Sequence, residues 1–175
     1  MNEQLVLTIL AEDRPGLVES ISERINEHEG SWLESRMSRL SGKFAGILRI
    51  EVPAERQADL HRSLGQLQTS GLRIQIERAG RDEPSESYAT FHLELVGQDR
   101  PGIVRTLAKT LARFRVNVES LETECASAPM SGEMLFQARA ELRIPTETDR
   151  QSLQVELEKI AADLHVDLDL KETES

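Results

Sequence analysis

The sequence predicts an α+β protein built from two tandem β-α-β-β-α-β units. The phrase EDRPGLV at residues 12–18 returns as QDRPGIV at residues 98–104, so Asp13 and Asp99 lie 86 residues apart in a chain of 175. An alternating apolar run precedes each copy, and an amphipathic run with helical spacing follows it. A repeat whose flanks also match indicates a duplicated domain rather than a chance recurrence.

The elements of the first half follow from the period of its apolar residues. The predicted order is a strand at 5–10, a helix from 17, strands at 32–40 and 44–52, a helix at 60–67 and a strand at 72–76. Pro15, like Pro101 in the second repeat, fits a first helical turn, where the missing N–H costs nothing. Gly30 is expected to end the first helix. The segment Ser41-Gly42-Lys43 predicts a hairpin turn between the second and third strands.

The second half repeats this order with a longer hairpin. Its predicted elements are a strand at 91–96, a helix from 103, strands at 116–125 and 134–144, a helix at 153–160 and a strand at 164–170. Each unit would form four antiparallel strands with two helices on one face. The predicted organisation is a first domain at 1–79, a linker at 80–87, a second domain at 88–170 and a tail at 171–175.

Composition excludes several classes of protein. A formal net charge of −10 with 3% aromatic residues argues against direct nucleic-acid binding, because phosphate neutralisation needs Lys and Arg. The N-terminal MNEQLVLTIL lacks a basic segment, and no membrane span is recognisable, so a soluble cytoplasmic protein without membrane contact is expected.

The sequence has few residues that could bind a metal ion or react as a thiol. Cys125 is the single cysteine, so neither an internal disulfide nor a thiolate metal cluster is expected, and a small apolar role in the core is favoured for it. The four histidines have no ligand spacing, so we expect no metal site and no cofactor. They are His28, His61, His92 and His165.

The Asp-Arg-Pro-Gly phrase at the first strand-to-helix turn of a β-α-β-β-α-β unit resembles the ACT domain, a regulatory module that often binds amino acids. Two such units with no enzyme attached resemble, more narrowly, the glycine cleavage system transcriptional repressor family. The matching residues are EDRPGLV at 12–18 and GSWLESRMSRLSGKF at 30–44, and the resemblance covers residues 4–170. It implies two ferredoxin-like, ACT-type sandwiches. At Ser31-Trp32 the family often has Asn followed by an aliphatic residue, as Asn117-Val118 has here.

Each repeated turn is a candidate ligand site. Its glycine lets a ligand approach the backbone, and the free amides of the first helical turn favour a carboxylate. The aspartate either accepts from an α-amino group or only caps the helix. The arginine either holds a carboxylate in a bidentate fork or is solvated. Trp32 either lines a pocket or packs in the core, which is favoured, and Asn117 either binds a ligand or only starts a strand. The candidate ligand-binding residues are Asp13, Arg14, Pro15, Gly16, Leu17, Ser31, Trp32, Asp99, Arg100, Pro101, Gly102, Ile103, Asn117 and Val118.

The resemblance implies a non-enzymatic repressor that contacts a LysR-type transcriptional activator rather than DNA, with a small amino acid such as glycine as ligand. The alternative is an amino-acid-responsive ACT regulatory subunit of a metabolic enzyme. Acylphosphatase-like enzymes bind phosphate through a Gly-rich cradle around an arginine, and EDRPGLV has no such cradle. A homo-oligomer is expected because small cores and open sheet edges favour association.

Overall fold

The computed structural model describes residues 1–80, 87–127 and 132–173. These residues form β-α-β-β-α-β twice, which confirms the predicted fold class. The chain divides into two units, Met1–Asp82 and Glu83–Ser175. Within the segment predicted as a linker, residues 81–86 lie outside the described residues, as do residues 128–131 of the predicted second hairpin loop and residues 174–175 of the predicted tail.

The first domain is a four-stranded antiparallel sheet with two helices. Its elements are β1 (Asn2–Glu12), α1 (Leu17–Glu27), β2 (Ser31–Leu40), β3 (Lys43–Pro53), α2 (Gln57–Gln66) and β4 (Arg73–Arg78), with short 3-10 turns at Ala54–Arg56 and Leu67–Ser70. The strand order is β2-β3-β1-β4. Alternate residues of β1 are buried against the helices, as a sheet with one covered face requires. The core of this domain is formed by Leu5, Leu7, Ile9, Ala11, Leu17, Ile21, Ile25, Leu48, Ile50, Val52, Leu60, Leu64 and Leu72.

The second domain has the same topology. Its elements are β5 (Tyr88–Gln98), α3 (Ile103–Arg113), β6 (Asn117–Ser127), β7 (Met134–Pro145), α4 (Arg150–Leu164) and β8 (Val166–Glu172), and the strand order is β6-β7-β5-β8. Its first helix buries Ile103, Leu107 and Leu111, at the positions of Leu17, Ile21 and Ile25 in α1. The sequence repeat therefore corresponds to two separate hydrophobic cores with the same pattern of buried residues.

Three boundary predictions were wrong. Pro15 and Pro101 precede their helices, because the left-handed Gly16 and Gly102 are the N-caps and the helices begin one residue later. Gly30 does not end α1, which finishes at Glu27, and the left-handed residue there is Glu29 with φ +60°.

The role of Gly30 is close packing. A Cβ on it would lie 2.8 Å from Ile25 Cγ2 and 3.0 Å from the Ile25 carbonyl oxygen.

The predicted tail at 171–175 also begins too early. Lys171 and Glu172 belong to β8, where they pair with His92 and Phe91 of β5. Ladder hydrogen bonds to a central strand thus continue two residues beyond the expected end of the domain. None of the described helices is both long enough and apolar enough to cross a membrane.

Candidate functional site

The first repeated turn joins the end of β1 to the start of α1. Gly16 has φ +87°, a left-handed conformation that favours glycine. The Asp13 N–H donates to the Gly42 carbonyl at 2.8 Å, which fixes the turn against the β2–β3 hairpin. The first helical bond runs from the Ser20 N–H to the Gly16 carbonyl, so the amides of residues 17–19 precede the helical ladder.

The second repeated turn has the same backbone. Gly102 has φ +97°, and the Asp99 N–H donates to the Met134 carbonyl at 3.0 Å. The first helical bond runs from the Thr106 N–H to the Gly102 carbonyl. Both turns therefore present the amides of a helix N-terminus, where partial positive charge favours an anion.

The two turns differ in what contacts their aspartates. In the first, Arg39 Nε lies 2.6 Å from the Asp13 carboxylate, so a guanidinium neutralises it. In the second, the neutral Cys125 thiol lies beside the Asp99 carboxylate, close enough for that carboxylate to raise the pKa of the thiol. Arg39 and Cys125 are equivalent by register, because each pairs with the phenylalanine near the start of its third strand. Among the described residues, no basic side chain forms an ion pair with Asp99.

The position of Cys125 corrects the expectation of a core residue. It is exposed on β6 rather than buried. Partial desolvation, together with the charge and the hydrogen bond of Asp99, raises the pKa of the Cys125 thiol above its ordinary value of 9.0. The thiol is therefore protonated at neutral pH and is a poor nucleophile.

The space above the two glycines also differs. Glu19 Oε2 lies 3.7 Å from the place where a Cβ of Gly16 would be, so a carboxylate already approaches the first turn. No described atom outside the neighbouring residues comes within 4 Å of the corresponding point at Gly102. Arg105 stands at the position of Glu19 in the second repeat. The second turn is thus open and flanked by a base, whereas the first is approached by an acid.

The arginines of the repeated phrase have different partners. Arg14 Nη2 donates to the Ser70 carbonyl at 2.8 Å, which ties it to the 3-10 turn after α2. Arg100 Nη2 donates to Gln98 Oε1 at 3.3 Å, a local contact between a half-buried arginine and an exposed side chain two residues before it. Arg100 therefore needs to give up only a weak local bond to hold a carboxylate.

Helix capping by the aspartates was one of the alternatives left open by the sequence, and it is wrong. Neither α1 nor α3 has a side-chain hydrogen bond at its N-cap. In contrast, α4 is capped by Asp149, whose carboxylate accepts from the Ser152 N–H at 3.1 Å and the Ser152 hydroxyl at 2.6 Å. Asp13 and Asp99 are therefore not required by their helices.

The predicted residues at the start of the second strands lie away from the turn of their own domain. Trp32 pairs with Ile50, which pairs with Leu5, seven residues before Glu12. At about 3.3 Å per residue, this places Trp32 about 23 Å from the end of β1. In the second domain, Val118 is separated from its turn by the same register. Within a single domain, these positions therefore lie too far from the repeated turn to form one site with it.

The side chains at these strand starts make local contacts. Trp32 is half-buried against the core, as favoured from the sequence, and its Nε1 donates to Ser35 Oγ at 3.2 Å. Ser31 and Asn117 are exposed, and Asn117 donates to Glu119 on its own strand. Val118 is also exposed, to 39%.

We also searched for metal-binding clusters and for grooves outside the two turns. In the described part of the chain, no group of three or more His, Cys, Asp or Glu residues is placed to hold a metal ion. A groove of about 520 Å³ lies between the end of α3 and α4, and no predicted site residue lines it. Its walls are Arg113, Phe114, Gln151, Ser152, Val155, Glu156 and Lys159.

Comparison with known proteins decides the family. The ACT-domain model matches residues 3–77 and again residues 90–171, so the two matches account for most of the chain. The protein belongs to the ACT-domain family. The two ACT domains correspond to the two sandwiches, and the Asp-Arg-Pro-Gly turns lie at the same place in each.

Two solved structures are similar over the full length. An unknown protein from Galdieria sulphuraria has 28% identity and a TM-score of 0.85, with 99% of this chain and 100% of that chain covered. A proposed glycine cleavage system transcriptional repressor has 18% identity and a TM-score of 0.71, with 100% and 99% covered, and shows the shared tandem fold. A search of curated proteins gave no match.

Proposed function

We propose that this pair of ACT domains is a non-enzymatic transcriptional regulator that binds a small amino acid at its second turn and acts through contact with a protein partner. The ligand site is inferred from the different contacts that the two aspartates make. Asp13 is neutralised by Arg39, whereas Asp99 contacts only a neutral thiol. An ammonium group entering the second turn would therefore meet an available carboxylate.

The second turn offers complementary groups for both ends of a zwitterion. The helix N-terminus at Gly102 and the Arg100 guanidinium favour the carboxylate. Asp99 favours the ammonium group. A small side chain is preferred, because β6 runs directly beside Asp99 through Cys125. Glycine and serine are accordingly the first ligands to test.

A protein partner fits the charge of the chain better than DNA does. The formal net charge of −10 opposes a phosphate backbone. A LysR-type activator is the partner class implied by the resemblance to the glycine cleavage repressor family. The ligand would alter repression only as far as it binds the two states of the complex with different affinity.

The ligand site is tested by isothermal titration calorimetry with glycine and with serine. We expect one site per chain, loss of binding in Asp99→Ala and retention in the matched variant Asp13→Ala. Neither variant removes a helix cap, so both should fold normally. Binding that depends on Asp13, or no heat with either amino acid, would contradict the proposed site.

The partner is tested by gel shift with glycine cleavage operator DNA. We expect no shift by this protein alone and an altered shift when a LysR-type activator is present, with a further change on adding glycine. Tight, salt-sensitive binding of the DNA by this protein alone would overturn the proposal. An activator complex unaffected by the protein would remove the activator as partner.

A further inference from the structure

The first helices of the two domains carry opposite charges at matched positions. Glu19, Glu23 and Glu27 form an acidic stripe on α1. Their equivalents on α3, each 86 residues later, are all basic and form a basic stripe. The basic stripe consists of Arg105, Lys109 and Arg113. The two helices therefore share the pattern of their buried faces but carry opposite charges on their outer faces.

Both stripes point away from the sheet of their own domain. The buried residues of α1 begin at Leu17, and the acidic stripe begins two residues later, about 200° around the helix. The same offset separates Ile103 from Arg105 on α3. All six charged residues are exposed. They are therefore free to meet another surface without disturbing either core.

Most of these charged residues form no ion pair within their own domain. Among the described residues, Glu19, Glu23, Arg105 and Lys109 form no ion pair. Glu27 pairs with Arg24 on its own helix, and Arg113 pairs with Glu156 of α4. At least two charges on each stripe therefore remain without an ionic partner.

Helix stability does not account for the pattern. A base near a helix N-terminus and an acid near its C-terminus both oppose the macrodipole. Arg105 lies in the first turn of α3, and Glu27 is the last residue of α1. These two residues thus stand where the isolated helix would favour the opposite charge, whereas Glu19 in the first turn of α1 and Arg113 in the last turn of α3 suit the macrodipole.

We propose that the acidic stripe of one copy of this chain binds the basic stripe of a second copy, so that a twofold dimer contains two reciprocal α1–α3 contacts. Each copy carries both stripes, so a twofold axis satisfies them all. With either direction of helix packing, Glu23 and Lys109 form the central pair.

This dimer is independent of the ligand proposed above, and charge reversal tests it. The variant Glu19→Lys with Glu23→Lys carries basic residues on both helices, and the variant Arg105→Glu with Lys109→Glu carries acidic residues on both. Sedimentation velocity at micromolar concentration should show a wild-type dimer. In each variant alone, the dissociation constant should rise about tenfold or more, because both contacts become repulsive.

Mixing the two variants in equal amounts is the decisive step. Each contact then joins a basic α1 to an acidic α3, or an acidic α1 to a basic α3, so heterodimers should form. Misfolded variants would not restore one another. The matched control is Glu122→Lys with Glu124→Lys on β6, which changes the net charge by the same amount as Glu19→Lys with Glu23→Lys, on exposed residues outside the stripes, and should remain dimeric.

Salt gives a second readout. Because the Debye length falls from about 10 Å at 0.1 M to about 3 Å at 1 M, the wild-type dimer should weaken as salt is added. A monomeric wild type, a variant mixture that stays monomeric, or a control that dissociates as far as the stripe variants would each overturn the proposal.

Discussion

Arg39 and Cys125 occupy equivalent positions in the two ACT domains, and each contacts the aspartate of its own turn. The first contact is an ion pair at 2.6 Å, whereas the second places a neutral thiol, whose pKa is raised, beside the carboxylate. The backbone of the turns is shared, so this single position decides whether the aspartate keeps an uncompensated charge. Two similar turns are thereby given different electrostatic character.

The reactivity of Cys125 should report this contact. Asp99→Asn removes the charge that helps to raise the pKa of the thiol, so that pKa should fall towards 9.0. At pH 8 the thiolate fraction then increases, by up to about tenfold for each pH unit by which the pKa falls. Alkylation followed by mass spectrometry measures the rate. Asp13→Asn is the matched control and should leave the rate unchanged, and an equal or slower rate in Asp99→Asn would refute the contact.

The cap of α4 should make the second domain sensitive to acid. The Ser152 hydroxyl and backbone N–H hold the pKa of Asp149 below its ordinary value of 3.8. The charged carboxylate is therefore favoured in the folded state, and its stabilisation is fully present above pH 3.8 and is lost as the pH falls through the folded pKa.

Asp149→Ala should accordingly lower the unfolding midpoint of the second domain at pH 7, and the difference from wild type should narrow below pH 3.8. The midpoint is followed by the fluorescence of Tyr88, the single tyrosine, with Trp32, the single tryptophan, excited separately for the first domain. An unchanged midpoint at pH 7, or a shift of the Trp32 transition, would argue against a cap confined to α4.

Gly97 of β5 should be intolerant of a side chain. An added Cβ would lie 2.4 Å from Val166 Cγ1 and 3.0 Å from Val166 Cα in the neighbouring β8. Gly97→Ala should therefore destabilise the second domain by about 1–3 kcal/mol, since backbone must move to accommodate it. Urea denaturation gives the free energy of unfolding.

Gly65 provides the matched control for that substitution. It lies in α2, and no atom comes within 4 Å of its added Cβ in the described part of the chain. Gly65→Ala should stabilise the first domain by about 0.5–1 kcal/mol through helix propensity. Equal effects of the two substitutions would mean that the close approach of Val166 is not what constrains Gly97.

The fold was predictable because two signals agreed. Apolar periodicity gave every strand and helix, and the repeat at Asp13 and Asp99 assigned them to two units. The misplaced ends have local causes. Pro15 lies before α1 rather than in its first turn, because the left-handed Gly16 is the N-cap of that helix. Lys171 extends β8 because it pairs with His92 of β5.

The candidate site was predictable only in part. The turns themselves follow from the sequence, but which aspartate is neutralised depends on a residue from another strand. Aligning the repeats by 86 residues places Arg39 against Cys125, and this signal was present in the sequence. The sequence did not show that these two side chains contact the aspartates. That depends on the pairing registers of β2 with β3 and of β6 with β7, which bring both side chains to the turns.

The most direct test of the unequal turns is to exchange the two residues that distinguish them. Cys125→Arg should place a guanidinium on Asp99, as Arg39 is placed on Asp13, and Arg39→Cys should release Asp13 in the same way. Calorimetric titration with glycine and serine should show one site per chain in the wild type and none in Cys125→Arg, whereas Arg39→Cys should retain the wild-type site. Undiminished binding by Cys125→Arg would contradict the account.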